Sequence, residues 1–531
     1  MSHTSQMSVR LPWCNSSRHF MPHAINAVMD TLLTNRVNHI MQAHCQPIQK
    51  AMKITFLVPP CFDNPQPAER SAGCTRIVYP MINIYELTLA AYLRENLSCQ
   101  CVLKDFIYPP LPASAYDEFV RTDNSDFYFI WAVNLSIESD LHALSILRKY
   151  RSDVPVVFVG PGPTFYARKC LIDENVFVVR GEPEVSALDL VKHLNEKAPL
   201  TDVKGISYRN DGHVVNNPPR PLATDLDSFP FPARDLLGDR VYHNPKLKTG
   251  PYTTMFTSRN CPYHCIYCVP SSLTFAREIE YKASHEDRKP MIGFRSPESV
   301  DKELSGLVAR GYKAIGFMDD NFIWNESRTA ELCAIFRKYG IVWGCQARVD
   351  AITEPIARML SESGCRYVDL GVESFDPEIL EYIKKGITPD DIYRAVNLLK
   401  KYGVPVKLNI LIGCSPLETR ETVKKTLKEA KRLDVDQVMF NIVSPFPGTK
   451  YYSLCKENGW IKDGEYRPTD VQHESILNLP NLSADEMEKL LFRNNLSFYF
   501  SPRFIAKQIV RFSSFAEFKA SLKALKLKLF H

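Results

Sequence analysis

Ser258-Arg-Asn-Cys-Pro-Tyr-His-Cys-Ile-Tyr-Cys-Val-Pro270 places Cys261, Cys265 and Cys268 within eight residues, with the spacing C-x3-C-x2-C. An iron–sulfur cube usually takes one thiolate per iron, so three thiolates leave one iron open to bind a substrate. A structural zinc site needs four ligands, usually two C-x2-C pairs or a mixture of Cys and His. The chain has no second C-x2-C pair. We therefore predict an iron–sulfur site, and zinc completed by His264 or a distant cysteine is the alternative.

The whole chain has the composition of an ordinary globular protein. It has 531 residues, of which 45% are hydrophobic, and a formal net charge of +5. This net charge is mild, and the sequence has no cluster of basic residues of the kind that binds nucleic acid. Fifteen scattered cysteines do not form a disulfide framework, and no apolar run reaches the length of a membrane span. We expect two to four domains, free thiols and a cytoplasmic location.

Residues 52–200 predict a doubly wound parallel sheet, because five short apolar runs alternate with helical stretches. Such sheets bind ligands at the carboxyl ends of their strands. Residues 201–244 are rich in proline and aromatic residues and predict a linker that includes a small hairpin with Asn210-Asp-Gly212 at its turn.

Residues 245–465 predict a partial (βα)6 barrel of the TIM type, because six apolar strands alternate with amphipathic helices. Glycines stand between several helices and the next strand, where a left-handed residue ends a helix. These are Gly311, Gly340, Gly364 and Gly403. Polar residues follow most of the predicted strands, and together with the cysteines they would form a ring above one mouth of the barrel.

These features resemble the radical S-adenosylmethionine (SAM) family with an N-terminal cobalamin-binding domain, over residues 52–512. The resemblance extends to the anaerobic magnesium-protoporphyrin ester cyclases and the hopanoid side-chain enzymes. It implies a [4Fe-4S] cluster on the three cysteines, SAM, and reductive cleavage of SAM to a 5′-deoxyadenosyl radical. That radical would abstract hydrogen from an unactivated carbon of a small-molecule, pigment or lipid substrate. An electron donor such as flavodoxin or ferredoxin is implied as a partner.

The resemblance also assigns residues to the polar groups of SAM. Asp319 and Asp320 match the segment that takes the ammonium group, and Arg348 can pair with the carboxylate. Glu373 and Ser374 are expected at the ribose hydroxyls.

The adenine of SAM needs an apolar wall and free backbone groups. Tyr267, just before the third cysteine, and the stretch from Ile410 to Gly413 are expected to supply them. Gly413-Cys-Ser-Pro416 departs from the Gly-Leu-Pro-Gly that relatives usually carry.

Cobalamin is expected at the carboxyl edge of the N-terminal sheet. The expected contacts are Ser136, Gly160, Gly162, Gly181 and Glu182. The departure lies in the loop after the first strand, Cys61-Phe-Asp-Asn-Pro-Gln-Pro67, which has no histidine to ligate cobalt. A domain that keeps this fold without the cofactor is the alternative.

Several functions stay open at this point. With cobalamin, methyl transfer to carbon is implied; oxidation or ring closure is the outcome without such transfer, and a SAM-only enzyme with an empty cobalamin domain is a further alternative. A tRNA methylthiotransferase would need three more N-terminal cysteines on a second cluster. A non-catalytic iron–sulfur or cobalamin carrier would have no need of a SAM site.

The two ends of the chain differ from the rest. Residues 1–51 lack a clean period, and we expect a poorly ordered extension, with Met52 as a candidate start of the native chain. Residues 466–531 predict a helical region, with a capping box at Ser483-x-x-Glu486. A second helix from Ser514 has an apolar stripe beside several lysines, which suits either an anionic membrane surface or docking onto the barrel.

Overall fold

The N-terminal part of the molecule is built on a seven-stranded sheet. The computed structural model describes residues 51–511, apart from 78 and 434. The strands are β1 (Met52–Val58), β2 (Cys99–Asp105), β3 (Phe127–Trp131), β4 (Val156–Val159), β5 (Val176–Val179), β6 (Ile206–Asn210) and β7 (His213–Asn216). Their order is β2-β1-β3-β4-β5-β6-β7, in which β1 to β5 are parallel.

The hairpin β6–β7 adds two antiparallel strands to the edge of this sheet. The sequence analysis placed these residues in the linker, but β6 hydrogen-bonds directly to β5. The N-terminal domain therefore includes the hairpin, and the extended connection begins after Asn216.

Helices cover both faces of the N-terminal sheet. They are α1 (Ile84–Asn96), α2 (Ala113–Thr122), α3 (Ile137–Arg148), the short α4 (Pro161–Phe165) and α5 (Ala167–Cys170), and α6 (Pro183–Glu196). Helices α1 and α6 share a core with Phe127, Phe129 and Trp131, whereas α2 and α3 share one with Tyr128 and Ile130. The predicted doubly wound architecture is confirmed.

The second sheet is a partial barrel of six parallel strands. They are β8 (Tyr252–Met255), β11 (Ala314–Phe317), β12 (Val342–Arg348), β13 (Cys365–Glu373), β14 (Val406–Ile412) and β15 (Gln437–Ile442), in the order β15-β14-β13-β12-β11-β8. Between β8 and β11 lies a small hairpin of β9 (Ser258–Arg259) and β10 (Gly293–Phe294). The predicted barrel with six strands is confirmed.

Helices alternate with the barrel strands. They are α7 (Ser272–Ser284), α8 (Pro297–Ala309), α9 (Glu326–Tyr339), α10 (Glu354–Glu362), α11 (Pro377–Tyr382), α12 (Pro389–Lys401), α13 (Arg420–Arg432) and α14 (Lys450–Glu457). The four glycines predicted to end helices all have positive φ. Helices α7, α11 and α14 are absent from the sequence-based assignment, and α7 directly follows the cysteine loop.

Two helices, α15 (Ala484–Tyr499) and α16 (Pro502–Arg511), complete the described chain. The capping box at Ser483 and Glu486 is present. Across residues 51–511, no helix is long and apolar enough to cross a membrane. The expectations of an N-terminal extension and of an amphipathic helix from Ser514 fall on residues outside the described ones.

Candidate active site

The three cysteines lie half-buried on the loop between β9 and α7, at the carboxyl end of the barrel. Ile266 fixes the loop to the barrel: its N–H donates to the Ile383 carbonyl at 3.2 Å, and its carbonyl accepts from Tyr451 N at 2.9 Å. Burial raises the pKa of the Cys261 thiol to about 11 and also raises that of the Cys268 thiol, so that the ionised thiolates need a positive charge beside them. Bound metal supplies that charge and deprotonates the thiols.

Asp319 and Asp320, which follow β11, hold the two ends of the cysteine loop. Asp319 is fully buried and accepts hydrogen bonds from the hydroxyls of Thr257 at 2.7 Å and Ser258 at 2.6 Å. Asp320 accepts from Ser271 N at 2.7 Å and from the Thr274 hydroxyl at 2.6 Å. The structure therefore shows both carboxylates serving the loop, and Asp319 is enclosed rather than presented to a ligand ammonium.

A buried lysine that the sequence analysis missed lies next to the cysteine loop. Lys385 Nζ donates to Glu373 at 2.8 Å and lies 3.4 Å from the Tyr267 hydroxyl. Glu373 adopts a φ of 65°, at a point where the pairing of β13 with β14 shifts register. Such strained, non-glycine backbone is common at functional sites. The structure thus brings Tyr267 and Glu373 together through Lys385.

Arg348, at the end of β12, stacks on the cysteine loop. Its guanidinium lies 3.6 Å from the centre of the Tyr263 ring, and it forms a bidentate pair with Asp350 at 2.9 and 3.0 Å. A third bond, of 2.8 Å, goes to the Lys385 carbonyl. Arg348 therefore lies beside the cysteine loop, with the Asp350 carboxylate already bound to it.

Ser374 and Ile410 point away from the barrel mouth. The Ser374 hydroxyl lies 3.3 Å from the Thr426 hydroxyl on α13, and the Ile410 side chain packs in the core between sheet and helices. Both line a small cavity on that outer side. In this orientation the Ser374 side chain does not fit the ribose contact expected above. The Ile410 side chain is also turned away, so Ile410 could contact adenine through its backbone alone.

Gly413 ends β14 with a φ of 82°, and a Cβ there would come within 2.4 Å of the Met487 sulfur. Its N–H donates to Glu418 at 2.8 Å, as does the N–H of Cys414 at the same distance. One buried carboxylate thus holds the Gly-Cys-Ser-Pro turn. The positive φ and the close Met487 sulfur explain why its first residue is glycine.

The carboxyl edge of the N-terminal sheet holds Ser136, Gly160, Gly162 and Gly181. Ser136 donates to Asp140 at 2.7 Å, within the internal cluster that also includes Arg70. A Cβ at Gly160 would lie 2.6 Å from the Ala132 carbonyl, and one at Gly162 would lie 2.9 Å from the Val133 carbonyl carbon. At Gly181 it would meet Glu280 of α7 at 3.0 Å. These glycines allow β3, its neighbouring loops and α7 to pack closely.

Glu182 joins the two sheets rather than standing free. It pairs with Arg259 at 2.5 Å and with Arg277 of α7 at 3.2 Å, and Glu184 pairs with Arg259 at 2.8 Å. Burial of Glu182 by itself would raise its pKa, but the positive charges of Arg277 and Arg259 outweigh this effect and lower the pKa. Burial raises the pKa of Glu184. Arg259 lies two residues before Cys261, so this buried network ties the edge of the N-terminal sheet to the cysteine loop.

The donor groups fit the expected cofactors to different degrees. Within residues 51–511, no three His, Cys, Asp or Glu side chains converge on one metal ion; a cluster that takes one thiolate per iron does not require such convergence. At the N-terminal sheet edge, both amide atoms of buried Asn134, three residues after β3, lack a partner. An orphaned buried amide is costly and suits a ligand at this edge. The loop after β1 has no histidine.

Comparisons with known proteins agree with this geometry. The profile described as "Radical SAM superfamily" matches residues 255–430. The chain is 32% identical over 474 residues to an uncharacterized methyltransferase of Pyrococcus horikoshii, covering 88% of this chain and 96% of that protein. It is 26% identical over 372 residues to an anaerobic magnesium-protoporphyrin IX monomethyl ester cyclase of Rubrivivax gelatinosus, covering 68% and 63%.

Among solved structures, the chain resembles OxsB, a cobalamin-dependent SAM radical enzyme solved with aqua-cobalamin and SAM bound. The TM-score is 0.64 at 17% identity, and the match covers 91% of this chain and 72% of that one. At this identity the likeness establishes the fold, which includes the N-terminal sheet as well as the barrel.

Proposed function

The chain belongs to the radical SAM superfamily, in the branch with an N-terminal domain of the cobalamin-binding type, and we propose that it methylates an unactivated carbon of a small molecule. Membership makes it an enzyme that uses a [4Fe-4S] cluster and SAM. The methyl transfer is our proposal, supported by its similarity to a protein named as a methyltransferase over nearly the whole length of both chains.

Within this proposal the three cysteines hold the cluster, and residues of the barrel mouth hold SAM. Arg348 and Lys385 are two of the buried cations beside the loop, and both suit the carboxylate of SAM. Tyr267 and the backbone of Ile410 to Ile412 remain our predicted contacts for the adenine, whereas the N–H and the carbonyl of Gly413 are already bound to Glu418 and Tyr451. The loop and its neighbours would also exclude water from the radical formed there.

Cobalamin, when bound, would supply a methyl carrier on cobalt. The observation that carries its proposed position is the buried network of Arg259 with Glu182 and Glu184, because it fixes the carboxyl edge of the N-terminal sheet against the loop of the cysteines. Ser136, Gly160, Gly162 and Gly181 shape that edge, and Asn134 offers it an unpartnered amide. Our proposal therefore has the two cofactor regions next to each other.

A SAM-only enzyme is the second candidate. Two observations favour it: the loop after β1 has no histidine, and α7 packs on the sheet edge, where the Trp131 indole donates to the Ser272 hydroxyl at 3.1 Å. Such an enzyme would oxidise or cyclise its substrate.

The test is anaerobic purification and reconstitution with cobalamin present, followed by reduction with SAM. We expect about four irons and one cobalt per chain, and both 5′-deoxyadenosine and S-adenosylhomocysteine as products. Cys265→Ala should lose iron and 5′-deoxyadenosine, whereas Cys333→Ala, which removes a buried thiol in α9, should keep both. Four irons without cobalt or S-adenosylhomocysteine would favour the second candidate, and zinc in place of iron would refute both.

A further inference from the structure

The inner face of the barrel carries a row of polar side chains. Gln346, Asp369, Lys407 and Gln437 lie side by side in register on β12, β13, β14 and β15. Their neighbours along each strand face the opposite way, into the core beneath the helices, as Val368 and Leu370 do on β13. Closed eight-stranded barrels usually fill the same space with layers of branched apolar side chains. A polar row is therefore a departure that needs a cause.

This inner face is open to solvent. Gln346 is exposed although β12 lies inside the sheet, with two strands on one side and three on the other. Gly371, Asn409, Met439 and Asn441, which also face inward, are only half-buried. Asn441 Oδ1 is buried without a partner. The six strands thus surround a polar lumen rather than a packed core.

The end of the lumen far from the cysteines is closed. Tyr252 and Tyr367 occupy the space left by two glycines, since a Cβ at Gly316 would lie 2.5 Å from the Tyr252 hydroxyl and one at Gly344 would lie 2.2 Å from the Tyr367 ring. Both tyrosines pack with Leu247, which lies just before β8. The lumen is therefore a pocket with a floor, and its mouth lies under the cysteine loop.

Two lysines share one carboxylate just above this floor. Lys246 Nζ lies 2.7 Å and Lys407 Nζ 3.0 Å from the same oxygen of Asp369. The other oxygen, Oδ1, is buried and accepts no hydrogen bond. Burial lowers the pKa of Lys407 despite Asp369 beside it. With both lysines protonated, the cluster has two ammonium groups and one carboxylate, and so an excess of one positive charge at the buried end of the lumen.

We propose that this cluster of Lys246, Asp369 and Lys407 binds an anionic group of the methyl acceptor, a carboxylate or a phosphate, at the floor of the barrel. A bound anion would balance the excess charge, and a hydrogen-bond donor beside it on the same substrate would satisfy Asp369 Oδ1. The assignment of the lumen to the substrate rests on the function proposed above.

The geometry also limits the size and polarity of the substrate. Asp369 and Glu373 are four residues apart on β13, which is about 13 Å along an extended strand. Glu373 contacts Lys385, which reaches Tyr267 in the cysteine loop. A molecule about 10 Å long would therefore span from the floor to the reaction centre. A hydrocarbon chain in this lumen would desolvate Gln346, Asn409 and the lysines without replacing their hydrogen bonds, so a polar metabolite fits and a lipid does not.

The test is thermal unfolding of the holoenzyme, loaded with cluster and saturated with SAM so that the carboxylate site of SAM is filled. Inorganic phosphate and acetate are titrated separately against chloride at equal ionic strength. We expect one or both to raise the unfolding midpoint by roughly 2 °C at tenfold excess over Kd. The larger shift identifies phosphate or carboxylate as the preferred group.

Lys407→Met and Lys246→Met should each lose this shift, because either change leaves Asp369 in a neutral one-to-one pair. Lys424→Met, the same change on the exposed surface of α13, should keep it. If the lysines served stability alone, Lys407→Met would lower the midpoint without any anion; we expect it to stay within about 1 °C of the wild type.

An absent shift in the wild type, or an equal shift in Lys407→Met, would overturn the proposal. This readout is equilibrium binding and needs no SAM cleavage. It can therefore fail while 5′-deoxyadenosine still forms, or succeed when no methyl group is transferred, so the two proposals are tested separately.

Discussion

The two parallel sheets of this molecule treat their faces differently. In the N-terminal sheet, successive residues of β3 are all apolar, and they enter two separate cores on opposite faces. In the barrel, Leu408 and Ile410 of β14 enter the core beneath the helices, whereas Lys407 and Asn409, which alternate with them, face the lumen. The same connection of strand, helix and strand thus builds a sheet buried on both faces and a sheet with one polar face. Alternation along a strand is what distinguishes the open face.

The largest effect is expected where the two sheets meet. Arg259→Met would leave Glu182 and Glu184 buried with Arg277 as their remaining cation, and breaking such a network costs about 3–5 kcal/mol of unfolding free energy. The unfolding free energy measured in urea and the iron content after reconstitution should both fall. Arg337→Met, which removes an exposed pair with Glu362, is the control. An unfolding free energy within 1 kcal/mol of the wild type would show that the seam does not depend on this arginine.

Polar substitutions test the two faces directly. Val156 and Val157 of β4 are both fully buried, on opposite faces of the N-terminal sheet, so Val156→Asn and Val157→Asn should each cost about 3 kcal/mol or more. In the barrel, Ile410→Asn, on the helix-facing side of β14, should cost as much. Urea unfolding of the three variants would measure this. A small loss at either valine would contradict a sheet buried on both faces.

Much of the fold could be predicted from the sequence because its signals are local. The apolar runs Val176–Val179 and Val406–Ile412 predict two strands with the same bounds as β5 and β14, and the spacing of the three cysteines predicts the site. Helix α7 was missed because its buried residues, Ser272 to Glu278, include the charged Arg277 and Glu278, so that the apolar residues alone do not mark its buried face. The hairpin β6–β7 was assigned to the linker because its pairing with β5 has no local signal.

The site was predicted less well than the fold, since several of its charged residues depend on distant partners. Arg259 meets carboxylates 75 and 77 residues away in the sequence, and Lys407 meets one that is 38 residues away. A buried lysine such as Lys385 looks like a surface residue in the sequence. Alternation of polar and apolar residues in β13 to β15 was the available signal for the lumen.

One carboxyl group at the barrel mouth, that of Asp320, should make the stability of the fold depend on pH. Burial raises the pKa of Asp320 to about 6, and the groups that donate to it are neutral. The folded state holds this proton more tightly than the unfolded state. The contribution of Asp320 to the unfolding free energy is therefore fully present below about pH 4 and is lost as the pH rises to about 6. Asp320→Asn should remove this loss, so that the wild type falls by roughly 2–3 kcal/mol relative to the variant over that range.

Urea unfolding of the apoprotein at several pH values, beside the exposed Glu378→Gln as control, would measure this difference. A constant difference between wild type and Asp320→Asn from pH 4 to pH 7 would contradict the protonation of Asp320 in the folded state.

The smallest effect is expected on the open face of the barrel. Asn409 is half-buried and faces the lumen, one residue before the fully buried Ile410. Asn409→Leu adds apolar surface where water is present and removes no partner that the fold requires, so the unfolding free energy should change by less than about 1 kcal/mol. Asn409→Leu and Ile410→Asn change neighbouring residues of one strand, so they compare the unfolding free energy lost on its two faces. If Asn409→Leu were as costly as Ile410→Asn, the inner face would be a packed polar core, and a lumen that admits substrate would be excluded.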